Sequence, residues 1–285
     1  MIDLHIHSNF SDGTDSIEQI VEKIINKGIH TFAITDHDTV EGVEYLINNI
    51  EQRQLLDNHN IKFIPGIEFS SIIDKDKVHL LGYNCDLANA DFIHSIDLGW
   101  QRRRDKYRLR LKALKEQLGI EYTAKTLEEM DSLKFMGKPL MANYLVKDGL
   151  FDNRQDAMKA LGKLKLSTIE TKVEANIVIP SIISAGGIPV WAHPLGGLEE
   201  NRIDTANVEE IVQKLIPLGI MGLECYYNLY TEKECQDLER IAKKYNLFVS
   251  TGSDYHGKNK DCDIGEVMNK AVFDATDKCT ITEIL

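Results

Sequence analysis

His5 and His7 stand two positions apart near the start of the chain, in a run of apolar neighbours that reads as a strand. Residues i and i+2 of a strand project to one side, so both imidazoles could reach a single cation. By itself this spacing also fits two buried, hydrogen-bonded histidines. Asp12 follows in the loop SDGTD, where the common role of an aspartate before glycine is an Asx turn. Asp36, His37 and Asp38 emerge together after the apolar run TFAIT. His37 reads as a ligand, Asp36 as the acceptor for a ligand histidine's second N–H, and Asp38 as a cap for the next helix. Glu68 closes an otherwise apolar run behind Pro65-Gly66, and a carboxylate among core residues is costly unless it is paired or holds a cation. His79 lies within KVHLLGY, a setting in which a lone histidine is more often structural. His193 ends IPVWAHP, and Asp254 and His256 sit in STGSDYHG.

Six of the nine histidines therefore fall at or beside the ends of inferred strands, with Asp12, Glu68 and Asp254 among them. His30, His59 and His94 lie outside the pattern and read as solvated or structural. Nine nitrogen and oxygen ligands exceed the roughly three or four protein ligands of one catalytic ion, so two or three divalent ions are indicated. Mixed imidazole and carboxylate sets suit manganese, zinc or iron better than magnesium.

The elements that must carry these residues alternate. Ile2–Ile6, Thr31–Thr35, Phe63–Phe69 and Val78–Tyr83 read as strands; 16–27 and 40–56 read as helices between them. This rhythm implies parallel pairing in βαβ units, with the ligand residues on the C-terminal rim. From about Asp91 to about Val173 the chain turns rich in Arg, Lys, Leu and Met, which reads as an all-helical insertion. Strand and helix then alternate again: helix 175–185, strand Ile188–Ala192, helix 208–216, strand 222–226, helix 232–245 and strand 248–251. Residues 1–91 and 174–285 are thus expected to form one α/β barrel of about seven strands, interrupted by the helical insertion 92–173. The last residues, Cys279–Leu285, carry no readable signal.

The chain has 285 residues, 43% of them hydrophobic, enough to bury a large core. Its 33 basic and 45 acidic side chains give a net charge of −12, which disfavours stable binding of long nucleic acids. A cluster of cations can reverse that field inside a cleft, so a small phosphorylated partner stays compatible. Five cysteines without CxxC spacing argue against a disulfide framework and for a cytoplasmic setting. The opening residues have no signal-peptide pattern, and no uncharged run is long enough for a bilayer, so no membrane partner is expected. Oligomeric state is not encoded in any pattern found.

The ordered set HxH, DG, DH, a strand-end Glu, a His on the next strand, HP and DxH resembles the PHP (polymerase and histidinol phosphatase) superfamily. AGGIPVWAHPLGG (185–197) is most similar to its branch of 3′,5′-nucleoside bisphosphate phosphatases. The resemblance implies a distorted (β/α)7 barrel with a trinuclear centre. It implies one metal held by His5, His7, Glu68 and Asp254. It places a second on Glu68, His79 and His193, with Glu68 bridging, and a third on Asp12, His37 and His256. One departure stands in the insertion, where Lys138-Pro139-Leu140-Met141-Ala142 occupies the place of an Arg-Pro-His-X-Ala segment.

The expected activity is that of a hydrolase: a metal-dependent phosphatase or phosphodiesterase attacking a nucleoside 3′,5′-bisphosphate or a short oligonucleotide end with metal-activated water. Alternatives are histidinol phosphate, a cyclic sugar phosphate or, less favoured, an amidohydrolase-type C–N bond. Glu68, His193 and His256 are the catalytic candidates, the two histidines as donors to the leaving oxygen. Arg102, Arg103, Arg104 and Lys138 are candidates to clamp a second phosphate from the insertion, which would act as a substrate cap; an arginine run is also often a solvated helix face. Tyr226, Tyr227 and Asn228 follow a strand end and are candidates to line the base or sugar pocket.

Overall fold

The computed structural model describes residues 1–133, 136–166, 171–197 and 201–285. They divide into two compact units, Met1–Ile96 with Val173–Leu285, and Asp97–Lys172.

In the first unit β1 (Ile2–Ile6), β2 (Thr31–Ile34), β3 (Lys62–Ile73) and β4 (Asp76–Tyr83) precede the short β5 (Val173–Glu174). β6 (Ile188–Ala192), β7 (Gly222–Tyr227), β8 (Phe248–Gly252) and a small antiparallel pair, β9 (Glu266–Val267) and β10 (Ala271–Val272), follow. The main sheet runs β1-β2-β3-β4-β6-β7-β8, with β5 paired to β3. Its two ends meet where Ile6 bridges Tyr255, just past β8, so seven strands nearly close into a barrel.

The sequence rhythm predicts parallel pairing throughout, and β4 departs from it. β4 is antiparallel to both neighbours, pairing its Leu81 with Glu68 of β3 and its His79 with Ala192 of β6. A parallel return needs a crossover of roughly a dozen residues or more. The two residues between Ile73 and Asp76 allow only a hairpin, and Asp74 takes a left-handed φ of 52° there. The reversal has a functional result: the first half of β4, which carries His79, reaches the end of the barrel where β3 and β6 present Glu68 and His193.

The helices follow their capping signals. α1 (Ile17–Asn26) starts at a capping box of Ser16 and Gln19 and buries Ile17, Ile20, Val21 and Ile24. Each such side chain contributes roughly 1.5–3 kcal/mol of burial. The single helix expected over 40–56 is two, α2 (Glu41–Asn48) and α3 (Ile50–Asn58), because Asn49 leaves the helical region and caps α3 through its side chain. Asp38 caps neither; it holds a left-handed φ of 51° and accepts a bond from the Ser70 backbone N–H at 3.0 Å.

Inside the barrel, Ile2, Leu4, Ala33, Ile64, Leu81, Tyr83, Val190 and Ala192 form one apolar cluster with Cys279 and Ile281. The C-terminal residues, silent in sequence, thus complete the barrel core. α8 (Ala175–Ser184), α9 (Thr205–Leu215) and α10 (Glu232–Lys244) complete this unit.

α4 (Ala90–Leu118) begins in the first unit and continues into the second, which also holds α5 (Ala124–Ser132), α6 (Lys138–Lys147) and α7 (Arg154–Lys163). Tyr107, Leu114, Met130, Met141, Leu145 and Leu161 make its separate core. Among the described residues no helix is long and apolar enough to cross a membrane.

Candidate metal centre

One end of the barrel gathers the polar residues. Ile64, Gly66 and Glu68 alternate along β3 and share a face, so the strand that supplies Ile64 to the core supplies Glu68 to the rim. On β1 the pairing with β2 is irregular between Asp3 and Ile6, where the strand passes from core Leu4 to His5 and His7. His37 follows β2 and bridges to Glu68 through the backbone. His193 and Asp254 take left-handed φ values of 30° and 54° just beyond β6 and β8. Such non-glycine conformations are costly and turn the two side chains where the strand direction alone would not.

Among the described residues three candidate metal-holding groups result: His5, His7, Glu68 and Asp254; His7, Asp12, His37 and His256; and His37, Glu68 and His79. In the first, His5 Nε2 is 3.1 Å from His7 Nε2, 3.4 Å from Glu68 Oε2 and 3.5 Å from Asp254 Oδ1. His7 Nε2 is 3.1 Å from Glu68 Oε2 and 3.3 Å from Asp254 Oδ1. A cation about 2.0–2.1 Å from four tetrahedral ligands would set them about 3.3–3.4 Å apart, so the spacing fits one.

Glu68 is the hub. Its Oε1 lies 2.9 Å from His79 Nδ1 and 3.1 Å from His193 Nε2, and its Oε2 lies 3.0 Å from His37 Nδ1. In the remaining group Asp12 Oδ1 is 3.1 Å from His256 Nε2 and 3.7 Å from His7 Nδ1, and Asp12 Oδ2 is 3.9 Å from His37 Nε2. His7 thus turns one ring nitrogen to each of two groups, and His37 faces both Glu68 and Asp12.

Hydrogen-bond accounting points to cations. Asp12 Oδ1, His37 Nδ1, Glu68 Oε2 and His256 Nε2 are buried without a hydrogen-bond partner. Buried polar atoms are normally satisfied, and four unsatisfied ones at one end of the barrel fit the donor set of bound cations.

The outer contacts orient the ligands. His5 Nδ1 donates to Glu224 Oε1 at 3.0 Å, which leaves Nε2 open toward the centre, and Glu224 Oε2 accepts the His193 backbone N–H at 2.7 Å. His256 Nδ1 donates to the Asp254 carbonyl at 2.8 Å, leaving Nε2 toward Asp12. Asp36 accepts from the Ser8 backbone, the Ser8 hydroxyl and the Ser11 hydroxyl, not from a ligand histidine as the sequence suggests; Ser11 Oγ in turn lies 3.5 Å from His7 Nδ1. Asp3, buried behind His5, accepts from the Ser253 backbone and hydroxyl and from the Gly265 N–H, and so fixes the loop bearing Asp254.

Burial raises the carboxyls of Glu68, Asp12 and Asp254, yet the surrounding imidazoles, and for Asp254 first the Lys260 ammonium, hold all three well below the usual carboxylate range. Burial pushes the imidazoles down. Glu224, Glu68 and Asp254 overcome it at His5, which stays well above its ordinary value, and Asp254 and Glu68 raise His7 to about 8. At His37 burial wins over Glu68 and Asp12, and its pKa falls to about 4.

Of the expected substrate-binding residues, Tyr226 points away: its hydroxyl donates to Glu239 Oε1 at 2.7 Å and its ring stacks on Phe273. The irregular register of β7 against β8 between Glu224 and Tyr226 gives the rim to Tyr227, whose hydroxyl donates to Asp254 Oδ2 at 2.9 Å and whose ring centre lies 5.5 Å from that of His193. Asn228 is buried, and its amide donates to the Ser253 carbonyl, so it braces the Asp254 loop. Arg102, Arg103, Arg104 and Lys138 belong to the second unit; Arg102 lines a groove there with Asp105, Arg108 and Lys112, and Lys138 opens α6. Sequence reading missed Lys260. The loop beyond β8 brings its Nζ to 2.5 Å from Asp254 Oδ2, although the strand end itself carries no lysine.

Gly252 lets β8 approach β1. A Cβ there would lie 2.2 Å from His5 Cβ and 2.8 Å from Glu224 Oε1. Gly252→Ala should therefore lower both the melting temperature, by an overpacking cost of about 1–3 kcal/mol, and the bound-metal stoichiometry. A variant with wild-type melting and metal content would show that the close approach is not required.

A family model for the PHP domain matches residues 3–167. A 5′-3′ exoribonuclease from Haemophilus influenzae is 28% identical, covering 91% of this chain and 94% of its own. A phosphoribosyl 1,2-cyclic phosphate 1,2-diphosphodiesterase from Eggerthella lenta is 26% identical, with 90% and 94% covered. A 3′,5′-nucleoside bisphosphate phosphatase from Chromobacterium violaceum is 24% identical, with 90% and 87% covered. In fold, the chain superposes on a candidate metal-dependent phosphoesterase from Bifidobacterium adolescentis with a TM-score of 0.78 at 24% identity, covering 99% of this chain and 95% of the other. The family match spans more than half of the chain, its fold agrees, and its ligand residues converge on one rim: the protein belongs to the PHP domain family.

Proposed function

We propose that the protein is a metal-dependent phosphoesterase that hydrolyses a small phosphate monoester, a nucleoside 3′,5′-bisphosphate or the end of a short oligonucleotide. One observation carries the reading: Glu68 turns one oxygen to His79 and His193 and the other to His5, His7 and His37, the arrangement of a carboxylate shared between two cations. Bound divalent ions at these groups supply Lewis-acid charge for the phosphoryl oxygens and bring the pKa of water toward ~7. His5, His7, Glu68 and Asp254 would hold one, Glu68, His79 and His193 a second, and Asp12, His37 and His256 a third; manganese, zinc and iron all suit this donor set.

The chain's own residues do the rest. Glu224 holds His5 and the His193 backbone in place, and Tyr227 and Lys260 hold Asp254. His193 Nε2 and His256 Nε2 both face carboxylates of the centre, so we assign them to ligation ahead of protonating the leaving oxygen. Arg102, Arg103, Arg104 and Lys138 remain the proposed second-phosphate contacts, with the helical insertion as a substrate cap. The exoribonuclease and bisphosphate phosphatase relatives favour the nucleotide reading, and the cyclic-phosphate diesterase relative supports a cyclic sugar phosphate as the second. In an amidohydrolase-type site a modified lysine or an analogous carboxylate bridges the cations, and here Glu68 would have to serve, so C–N hydrolysis stays the less favoured reading.

Exhaustive chelation should abolish turnover of a bisphosphate, a 5′-phosphorylated oligoribonucleotide and a cyclic sugar phosphate alike. Manganese should restore it, fastest on the first two. The surrounding carboxylates raise His5 well above its ordinary value and His7 to about 8, so protons compete with the cations and reloading should be weaker at pH 6 than at pH 8. Undiminished hydrolysis after chelation would overturn the metal-dependent reading, and preference for the cyclic ester would overturn the choice of substrate.

A further inference from the structure

Asp254 uses its two oxygens differently. Oδ1 faces the centre, 3.5 Å from His5 Nε2, 3.3 Å from His7 Nε2 and 3.3 Å from His256 Nδ1. Oδ2 faces away and is taken by two donors, the Tyr227 hydroxyl at 2.9 Å and the Lys260 ammonium at 2.5 Å. The Lys260 side chain is only 20% exposed.

The backbone that delivers Lys260 is itself fastened. The Asn259 amide donates to the Asp12 carbonyl at 2.7 Å, and the Lys258 N–H donates to Thr14 Oγ1 at 2.9 Å. Gly257 takes a φ of 62°, and a Cβ on it would lie 2.1 Å from Thr14 Oγ1. The Asp254–Lys260 loop is thus zipped against the Asp12 loop, and the ammonium is set down on one oxygen of one ligand.

We infer that Lys260 is a positioning residue that, with Tyr227, pins Oδ2 of Asp254 so that this carboxylate offers a single oxygen to the first cation. The inference rests on the proposed metal centre. A carboxylate left free to rotate must give up that freedom when it takes a cation, which weakens binding. Two fixed donors on Oδ2 prevent this. The lysine also balances part of the negative charge that Asp254, Glu68 and Asp12 concentrate in the pocket, although a bare ammonium beside a cation site would by itself repel the cation. The two effects have opposite signs for metal affinity, and that makes the role measurable.

The test is chelator competition with manganese or zinc on the full chain, comparing wild type, Lys260→Met and Lys260→Arg. Orienting partners of metal ligands typically account for about 10–100-fold in affinity. Lys260→Met should weaken the tightest site by about that factor, and Lys260→Arg, which still donates to Oδ2, should recover most of it. The melting temperature of the metal-free proteins serves as the folding control. Unchanged or tighter metal binding in Lys260→Met would overturn the inference, since a lysine acting only as a countercharge or fold contact gives that result. If Lys260→Met does not fold, Tyr227→Phe removes the other Oδ2 donor and should weaken the same site; unchanged affinity there would also overturn it. A wild-type protein that binds no metal would instead sink the metal-centre reading itself.

Discussion

Glu68→Gln should reduce phosphoesterase turnover by about a thousandfold or more, roughly 4 kcal/mol of transition-state stabilisation, and should lower the metal stoichiometry at the same time. The substitution is nearly isosteric, so the packing on β3 stays. What goes is the charge that His37, His5 and His79 surround, and one of the two acceptor oxygens that reach separate imidazole sets. An amide can offer only its carbonyl oxygen and turns N–H donors toward histidine nitrogens that need an acceptor or a cation. Elemental analysis beside steady-state kinetics checks both. Full metal content with full turnover would remove Glu68 from the bridging position, and full metal content with lost turnover would confine its role to charge.

Glu224→Ala should cost about 10–100-fold in metal affinity without touching a ligand atom. Glu224 is completely buried and makes two bonds from one carboxylate, to His5 Nδ1 and to the His193 backbone N–H. Removing it leaves two buried donors unsatisfied, about 1–3 kcal/mol each in stability, and frees the His5 ring to turn. The expected result is a lower melting temperature together with weaker metal retention against a chelator. Glu224→Gln retains an acceptor for one of the two bonds and should fall between wild type and the alanine variant. Wild-type metal affinity in Glu224→Ala would show that His5 needs no outside support, and the orientation argument would fail.

The two variants separate kinds of contribution. On the proposed reading Glu68 acts at the centre, where loss of one group would change how many ions are held. Glu224 touches His5 and not the centre itself, and its loss would change how tightly they are held. Combined, the changes should be non-additive, because both converge on His5.

Much of the site was legible in the residue types alone. HxH at a strand end, DH after an apolar run, a carboxylate inside a core strand and DxH after the last strand are local patterns, and period-2 alternation says which side chains share a face. Alternation does not decide between Tyr226 and Tyr227. Both are buried, and only the register of β7 against β8, irregular between Glu224 and Tyr226, decides which of the two faces Asp254. Strand direction was also partly readable, since residues 70–77 between the two inferred strands are too few for a crossover, yet the strand–helix rhythm argued for parallel pairing.

The sequence by itself determined the inventory: which side chains can bind cations, in what order they occur, and that more ligands are present than one ion needs. It also set the helix starts, because a capping box such as Ser16 with Gln19 is complete within four residues. Tertiary structure alone decided the partnerships: Glu224 beneath His5, Lys260 on Asp254, Asp3 behind the Ser253 backbone, and the C-terminal Ile281 in the barrel core. Those contacts join residues up to 250 positions apart. Local propensity carries no information about them, because their energy appears only once the barrel closes and brings β1 against β8.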